Sequence, residues 1–157
     1  MSTTLTKPKV RKSAGSNVVE TCVHGGSGQA ARQNFAPSRM IQCVQNGLPI
    51  EELNALQATL DLPMETLATK LGISKATLHR RKAEGRLDPA ESDRVVRYAR
   101  LMGQAVTVFG AEGPAREWLN APQFGLGGAV PLDYAETEVG AREVENLLGR
   151  IEYGVYS

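Results

Sequence analysis

The sequence predicts an all-α protein: a helix-turn-helix DNA-binding domain followed by a small helical C-terminal domain. Apolar residues recur at spacings of three and four, and glycine or proline marks the ends of the periodic stretches. No period-2 alternation of useful length occurs, so no strand is expected. The 157 residues allow one domain of ordinary size or two small ones.

The first 36 residues are rich in Ser, Thr, Gly, Asn and Lys and lack a sustained apolar period. They read as a flexible basic N-terminal arm, spanning 1–36, either largely disordered or ordering on contact. Such an arm can add sequence-independent attraction to DNA phosphates, or serve only as a solubilising tail. From Pro37 the pattern turns helical, and 37–110 reads as the DNA-binding region. Ser38 is the expected N-cap of a helix running to Asn46, with Gly47 ending it. Pro49 is expected in the first turn of a second helix, with Glu51 and Glu52 favourable to its dipole and Ile50, Leu53, Leu56 and Leu60 as its buried stripe.

The stretch "LATKLGISKATLHRRKAEG" carries the helix-turn-helix. Small Ala68 permits close helix crossing, Gly72 allows a left-handed turn, and Leu78 points back to the core beside Leu67, Leu71 and Ile73. Ser74 caps the second helix and frees its first turn to enter a groove. The expected DNA-binding set is Ser74, Lys75, Ala76, Thr77, His79, Arg80, Arg81 and Arg86. Lys75 and Arg80 are the candidates for guanine contacts, and Thr77 or His79 for a base or phosphate. Arg81 falls where such motifs carry an apolar residue, so either its stem snorkels along the core edge or the helix is rotated.

A long helix follows, with Asp88 as N-cap, Pro89 at the first position and Glu91 completing a capping box. Val95, Ala99, Met102, Val106 and Phe109 form its core face, and Gly110 ends it. Gly103 costs up to about 1 kcal/mol of helix propensity, a cost that close packing against a neighbour would explain.

Residues 111–157 form the C-terminal domain. A short helix over 114–120 brings Trp118 and Leu119 to the core, Pro131 opens another with Leu132, and Thr137 caps the last. Val144, Leu147, Leu148 and Ile151 share one face of that last helix. The glycines of "FGLGGAVPLD" are not a phosphate cradle: Ala129 and Val130 follow where a P-loop needs Lys and Ser/Thr, and no strand precedes. Nucleotide binding is not expected, nor any cofactor or small-molecule substrate.

Charge is divided along the chain. Residues 1–48 hold six Lys/Arg against Glu20 alone, whereas 113–157 hold three against seven acids, a pattern that suggests different partners for the two ends. Apolar runs fall short of the roughly 20 residues of a membrane span, and no apolar stretch follows the N-terminal basic residues to make a signal peptide. A cytoplasmic protein without membrane contact is therefore expected. Cys22 and His24 could ligate a metal, but a structural zinc needs about four ligands, and Cys43 and His79 fall on the expected helices of the DNA-binding region. No metal is expected. With two histidines, no nucleophile elbow and no clustered acids, an enzyme is not expected either.

The C-terminal 45 residues resemble the toxin-binding domain of the Xre/MbcA/ParS antitoxins. The resemblance rests on Trp118-Leu119, Leu126-Gly127-Gly128, Pro131-Leu132-Asp133, Thr137, Gly140, Val144, Leu147, Ile151 and Gly154. With the Xre-like helix-turn-helix it covers roughly 45–157, and Val130 departs from it by offering no side-chain cap to the helix at Pro131. The resemblance implies an antitoxin that blocks a RES-type, NAD-depleting toxin and represses its own operon, generally as a homodimer. The partners it implies are the cognate toxin and operator DNA. The tail Arg150, Glu152, Tyr153, Gly154, Val155, Tyr156 and Ser157 suits a plug for a positive NAD cleft, because its rings give contact area at low rotamer cost and its acids complement the cleft. Alternatively Tyr153 and Tyr156 pack back onto the long helix. A stand-alone regulator or partition protein, with a C-terminal domain that only oligomerises, is the competing function.

Overall fold

The computed structural model describes residues 17–24 and 36–154. Among these, the chain forms nine α-helices: α1 Val18–His24, α2 Pro37–Asn46, α3 Ile50–Leu60, α4 Met64–Lys70, α5 Lys75–Glu84, α6 Pro89–Phe109, α7 Glu112–Asn120, α8 Pro131–Tyr134 and α9 Glu138–Glu152. A 3₁₀ turn, Phe124–Leu126, lies between α7 and α8. The only bridge among the described residues, Pro49 to Arg86, ties the entry of α3 to the exit of α5.

Helix α6 is the axis of the fold, and α1, α2, α3, α7 and α9 all pack on it. Its start is fixed locally. Asp88 Oδ1 accepts from Glu91 N at 2.7 Å, while Glu91 Oε1 accepts from Asp88 N at 3.3 Å, so the expected capping box is complete. Val95, Ala99 and Met102 are fully buried, and Gly110 ends the helix at φ 80°.

Two local expectations need correction. Ser38 does not cap α2, which begins at Pro37 after Ala36 with no side-chain cap. Pro's fixed φ suits the first helical position and moves the start one residue upstream. Likewise Pro49 flanks α3 rather than entering it.

The larger correction concerns the arm. Residues 18–24, expected within a flexible segment, are a helix with Val18, Val19 and Val23 buried against α6 and α3. Its N-terminus is held by Glu52, a buried carboxylate that accepts from Val18 N at 3.1 Å and Val19 N at 2.9 Å. Burial raises the Glu52 pKa above its ordinary value, and the two backbone hydrogen bonds oppose that rise. A Cβ on Gly103 would lie 2.0 Å from the Cys22 carbonyl oxygen, so Gly103 does serve close packing, with α1 as the neighbour. The rest of 1–36, apart from Asn17 and Ala36, lies outside the described residues.

Candidate DNA- and toxin-binding surfaces

The helix-turn-helix comprises α4, a turn over 71–74, and α5. Ala68 is buried at the crossing, Gly72 takes φ 70°, and Leu67, Leu71, Ile73 and Leu78 close the apolar wedge between the helices. Ser74 Oγ accepts from Thr77 N at 3.2 Å and lies 2.9 Å from Thr77 Oγ1, so the Thr77 hydroxyl is shared with the cap. Arg94 Nη1 donates to Leu71 O at 2.9 Å and braces the turn from α6.

The expected DNA set divides on geometry. Lys75, Ala76, His79 and Arg80 are exposed on the outer face of α5. Lys75 and His79 share a cavity of about 680 Å³ with Lys82, which the sequence-based set omits. Their i, i+4, i+7 spacing is the signal that places all three on one face. Arg81 and Arg86 turn to structural tasks. Arg81 donates to Glu91 from Nε at 2.5 Å, to Glu84 from Nη1 at 3.1 Å and to Asp88 from Nη2 at 3.2 Å. The Arg81 side chain is only 16% exposed, its guanidinium held against the buried Glu91 carboxylate. Arg86 Nη1 donates to Gly47 O at 2.6 Å and Asn46 O at 3.2 Å, satisfying carbonyls at the end of α2.

In the C-terminal domain Leu119, Leu132, Val144 and Leu148 are fully buried, while Leu147 and Ile151 are half-buried. Trp118 is half-buried against Phe109, with ring centroids 5.6 Å apart. Thr137 Oγ1 accepts from Gly140 N at 3.0 Å as expected of a cap. Gly140 is obligatory for another reason: a Cβ there would stand 1.6 Å from the Tyr134 carbonyl oxygen, where α8 abuts α9. Pro131 is buried at the start of α8, and Val130 supplies no side-chain cap.

The glycine segment forms a small closed loop. Gln123 N donates to Ala129 O at 3.0 Å and Gly128 N returns to Gln123 O at 2.9 Å, with Gly127 and Gly128 at φ 67° and 88°. The tail leaves α9 at Tyr153, which is 80% exposed and so does not pack back on α6, and Gly154 takes φ 68°. Arg150 is half-buried and Glu152 exposed, while Val155, Tyr156 and Ser157 lie outside the described residues.

The two surfaces are joined without an extended linker. Tyr98 Oη donates to Leu132 O at 2.8 Å inside the core, where burial pushes the phenol pKa upward. Lys70 of α4 pairs with Asp133 of α8, and Gln104 Nε2 donates to Glu145 O at 3.0 Å. His24 Nε2 lies 2.9 Å from Glu112 Oε1, and Cys22 is half-buried with its thiol pKa raised by burial. No helix among the described residues is long and apolar enough to cross a membrane.

Two family models match. The Xre-like helix-turn-helix domain of antitoxins matches residues 40–100, and the antitoxin Xre/MbcA/ParS C-terminal toxin-binding domain matches 104–154. The chain is 35% identical over 120 residues to a protein named Antitoxin Xre from Yersinia enterocolitica, covering 75% of this chain and 81% of that one. It is 34% identical over 116 residues to Antitoxin Xre from Photorhabdus laumondii, covering 73% and 78%. It is 26% identical over 132 residues to a Sphingobium protein named Prs ADP-ribosylating antitoxin, covering 78% and 83%.

Proposed function

Because the chain belongs to the Xre antitoxin family, we propose that it neutralises an NAD-consuming toxin of the RES type and represses the operon encoding both. The observation that carries this reading is the joining, through α6, of an open basic recognition surface to a toxin-binding domain whose last helix leaves Tyr153 exposed. The Sphingobium relative's name links a similar chain to ADP-ribosylation, a reaction that consumes NAD, which supports NAD as the toxin's substrate. The chain's own role is stoichiometric binding rather than catalysis.

Inhibition works by occupancy. Tyr153 and Tyr156 enter the cleft where the toxin holds NAD, and Glu145 and Glu152, seven residues apart on one face of α9, meet the cationic groups that receive pyrophosphate. On DNA, Lys75, His79, Arg80 and Lys82 face the major groove, with Arg80 reading a base. Arg81 and Arg86 hold the helix in place. Helix-turn-helix dimers bind paired half-sites about one helical turn apart, and the repressing species of this reading is a homodimer. Asp93 and Arg100, seven residues apart on α6, are self-complementary under antiparallel pairing. Both line a cavity of about 490 Å³ with Met40, Ile41 and Val44 of α2, which supports this face as the dimer contact.

The test is to co-express the chain with the product of the adjacent reading frame, purify both and follow NAD. Co-elution and arrest of NAD loss at one-to-one stoichiometry or below is the expected result. NAD loss that continues under excess chain refutes the reading. A chain that binds operator DNA but never its neighbour is a stand-alone regulator.

A further inference from the structure

Phe124 is 100% exposed, on a backbone that is firmly closed. Its 3₁₀ turn is pinned by Leu126 N donating to Gln123 O at 3.1 Å and Gly127 N to Phe124 O at 3.0 Å. Gln123 Nε2 adds bonds to Trp118 O at 3.0 Å and Ala121 O at 3.1 Å. Leu126 is buried on the inner side of the turn, and a Cβ on Gly125 would stand 2.7 Å from Leu147 Cδ1. The turn therefore lies flat on α9, and the one large side chain it leaves in water is an aromatic ring.

Single exposed apolar residues are ordinary on protein surfaces, so exposure alone assigns nothing. Position supplies the rest. Phe124 lies inside the matched toxin-binding domain, and the Leu147 contact puts its turn six residues before Tyr153, roughly 9 Å along the helix axis. Two exposed rings, one on a rigid turn and one at a helix end, thus sit toward the same end of α9. Rigid aromatic side chains lose little entropy on docking and dominate binding hot spots.

We propose that Phe124 is a second toxin-docking anchor, inserting into an apolar recess on the toxin surface beside the cleft that the tail enters. The proposal rests on the reading of the toxin as partner and adds a contact outside the tail. Phe124 fixes the approach of the C-terminal domain, and the tail then enters at high effective concentration.

The experiment titrates the full-length chain, Phe124→Ala and Phe124→Leu against the purified toxin encoded alongside it. Melting temperature and operator binding are measured in parallel. Phe124→Ala should weaken toxin binding on the order of ten- to a hundredfold, chiefly through faster dissociation, and Phe124→Leu should recover part of the loss. Melting and operator binding should stay unchanged, because the ring is fully exposed among the described residues. Toxin affinity of Phe124→Ala within twofold of the parent overturns the anchor while leaving the antitoxin reading intact. A variant that keeps toxin affinity but loses self-association also overturns it, assigning the ring to a second copy. A parent chain that fails to bind the toxin overturns the antitoxin reading and the anchor together.

Discussion

Arg81 Nε lies 2.5 Å from Glu91 Oε1, joining the recognition helix to the first turn of the long helix behind it. Arg81 thus sets the angle at which α5 is presented, while Arg80, one position earlier, faces solvent. The two arginines should separate cleanly on substitution. Arg80→Ala should leave the melting midpoint unchanged and weaken operator binding by about 1–3 kcal/mol if it reads a base. Arg81→Ala should lower the midpoint, because it strips partners from the buried Glu91 carboxylate. Calorimetry with fluorescence anisotropy on operator and random DNA checks both. Equal loss for Arg80→Ala on the two DNAs would make it a phosphate contact.

Glu52→Ala should release α1 from its groove. Two backbone N–H groups lose their acceptor, at a cost of about 1–3 kcal/mol, and amide exchange over Val18–His24 should accelerate well beyond that of α6. Protection unchanged in that segment would show that the apolar contacts of Val19 and Val23 hold α1 without the carboxylate.

The same residue gives a pH dependence. The native Glu52 pKa is raised above 4.5, so near that pH the folded chain retains a proton that the unfolded chain has released. Its contribution to stability is therefore fully present below about pH 4.5 and is lost as pH rises through the native value. Glu52→Gln should flatten that part of the stability curve in urea titrations across pH 4–7. A slope identical to the parent's would remove Glu52 as its source.

Gly140→Ala tests the junction of α8 and α9. The added methyl would meet a backbone carbonyl rather than a flexible side chain, so one of the helices must shift. A loss of roughly 1–3 kcal/mol is expected, together with weaker toxin binding. A midpoint equal to the parent's would show that the junction yields at no cost.

Removing residues 153–157 should abolish protection from the toxin and leave operator binding intact. Growth rescue and DNA affinity measured on the same truncated chain check this. Full rescue would rule out the tail as the element that occupies the cleft.

How far the sequence foretells this structure follows from how local each determinant is. The α6 capping box and the Thr137 cap involve residues three apart, and both form as expected. The helix-turn-helix is likewise set by Ala68, Gly72 and Leu78 within eleven residues. Helix α1 is hidden in the sequence because its seven residues are flanked by polar, glycine-rich chain, and its anchor, Glu52, lies more than thirty positions away. Arg81 stands out as anomalous from sequence alone, but its partner depends on how α5 crosses α6. Phe124 is hidden because an apolar residue among glycines reads as turn filler, and only three-dimensional packing shows that Leu126 takes the inner place.

The match to the Xre-like helix-turn-helix domain ends at residue 100 and the match to the toxin-binding domain begins at 104, yet α6 runs unbroken from Pro89 to Phe109. Recombination that exchanged toxin specificity would have to cut inside a helix. The incoming half would then need to supply an acceptor for Tyr98 and a small residue where Gly103 meets Cys22. Replacing either matched domain therefore disturbs packing along the whole of α6, whereas a substitution on an exposed face of α5 or α9 leaves that packing in place.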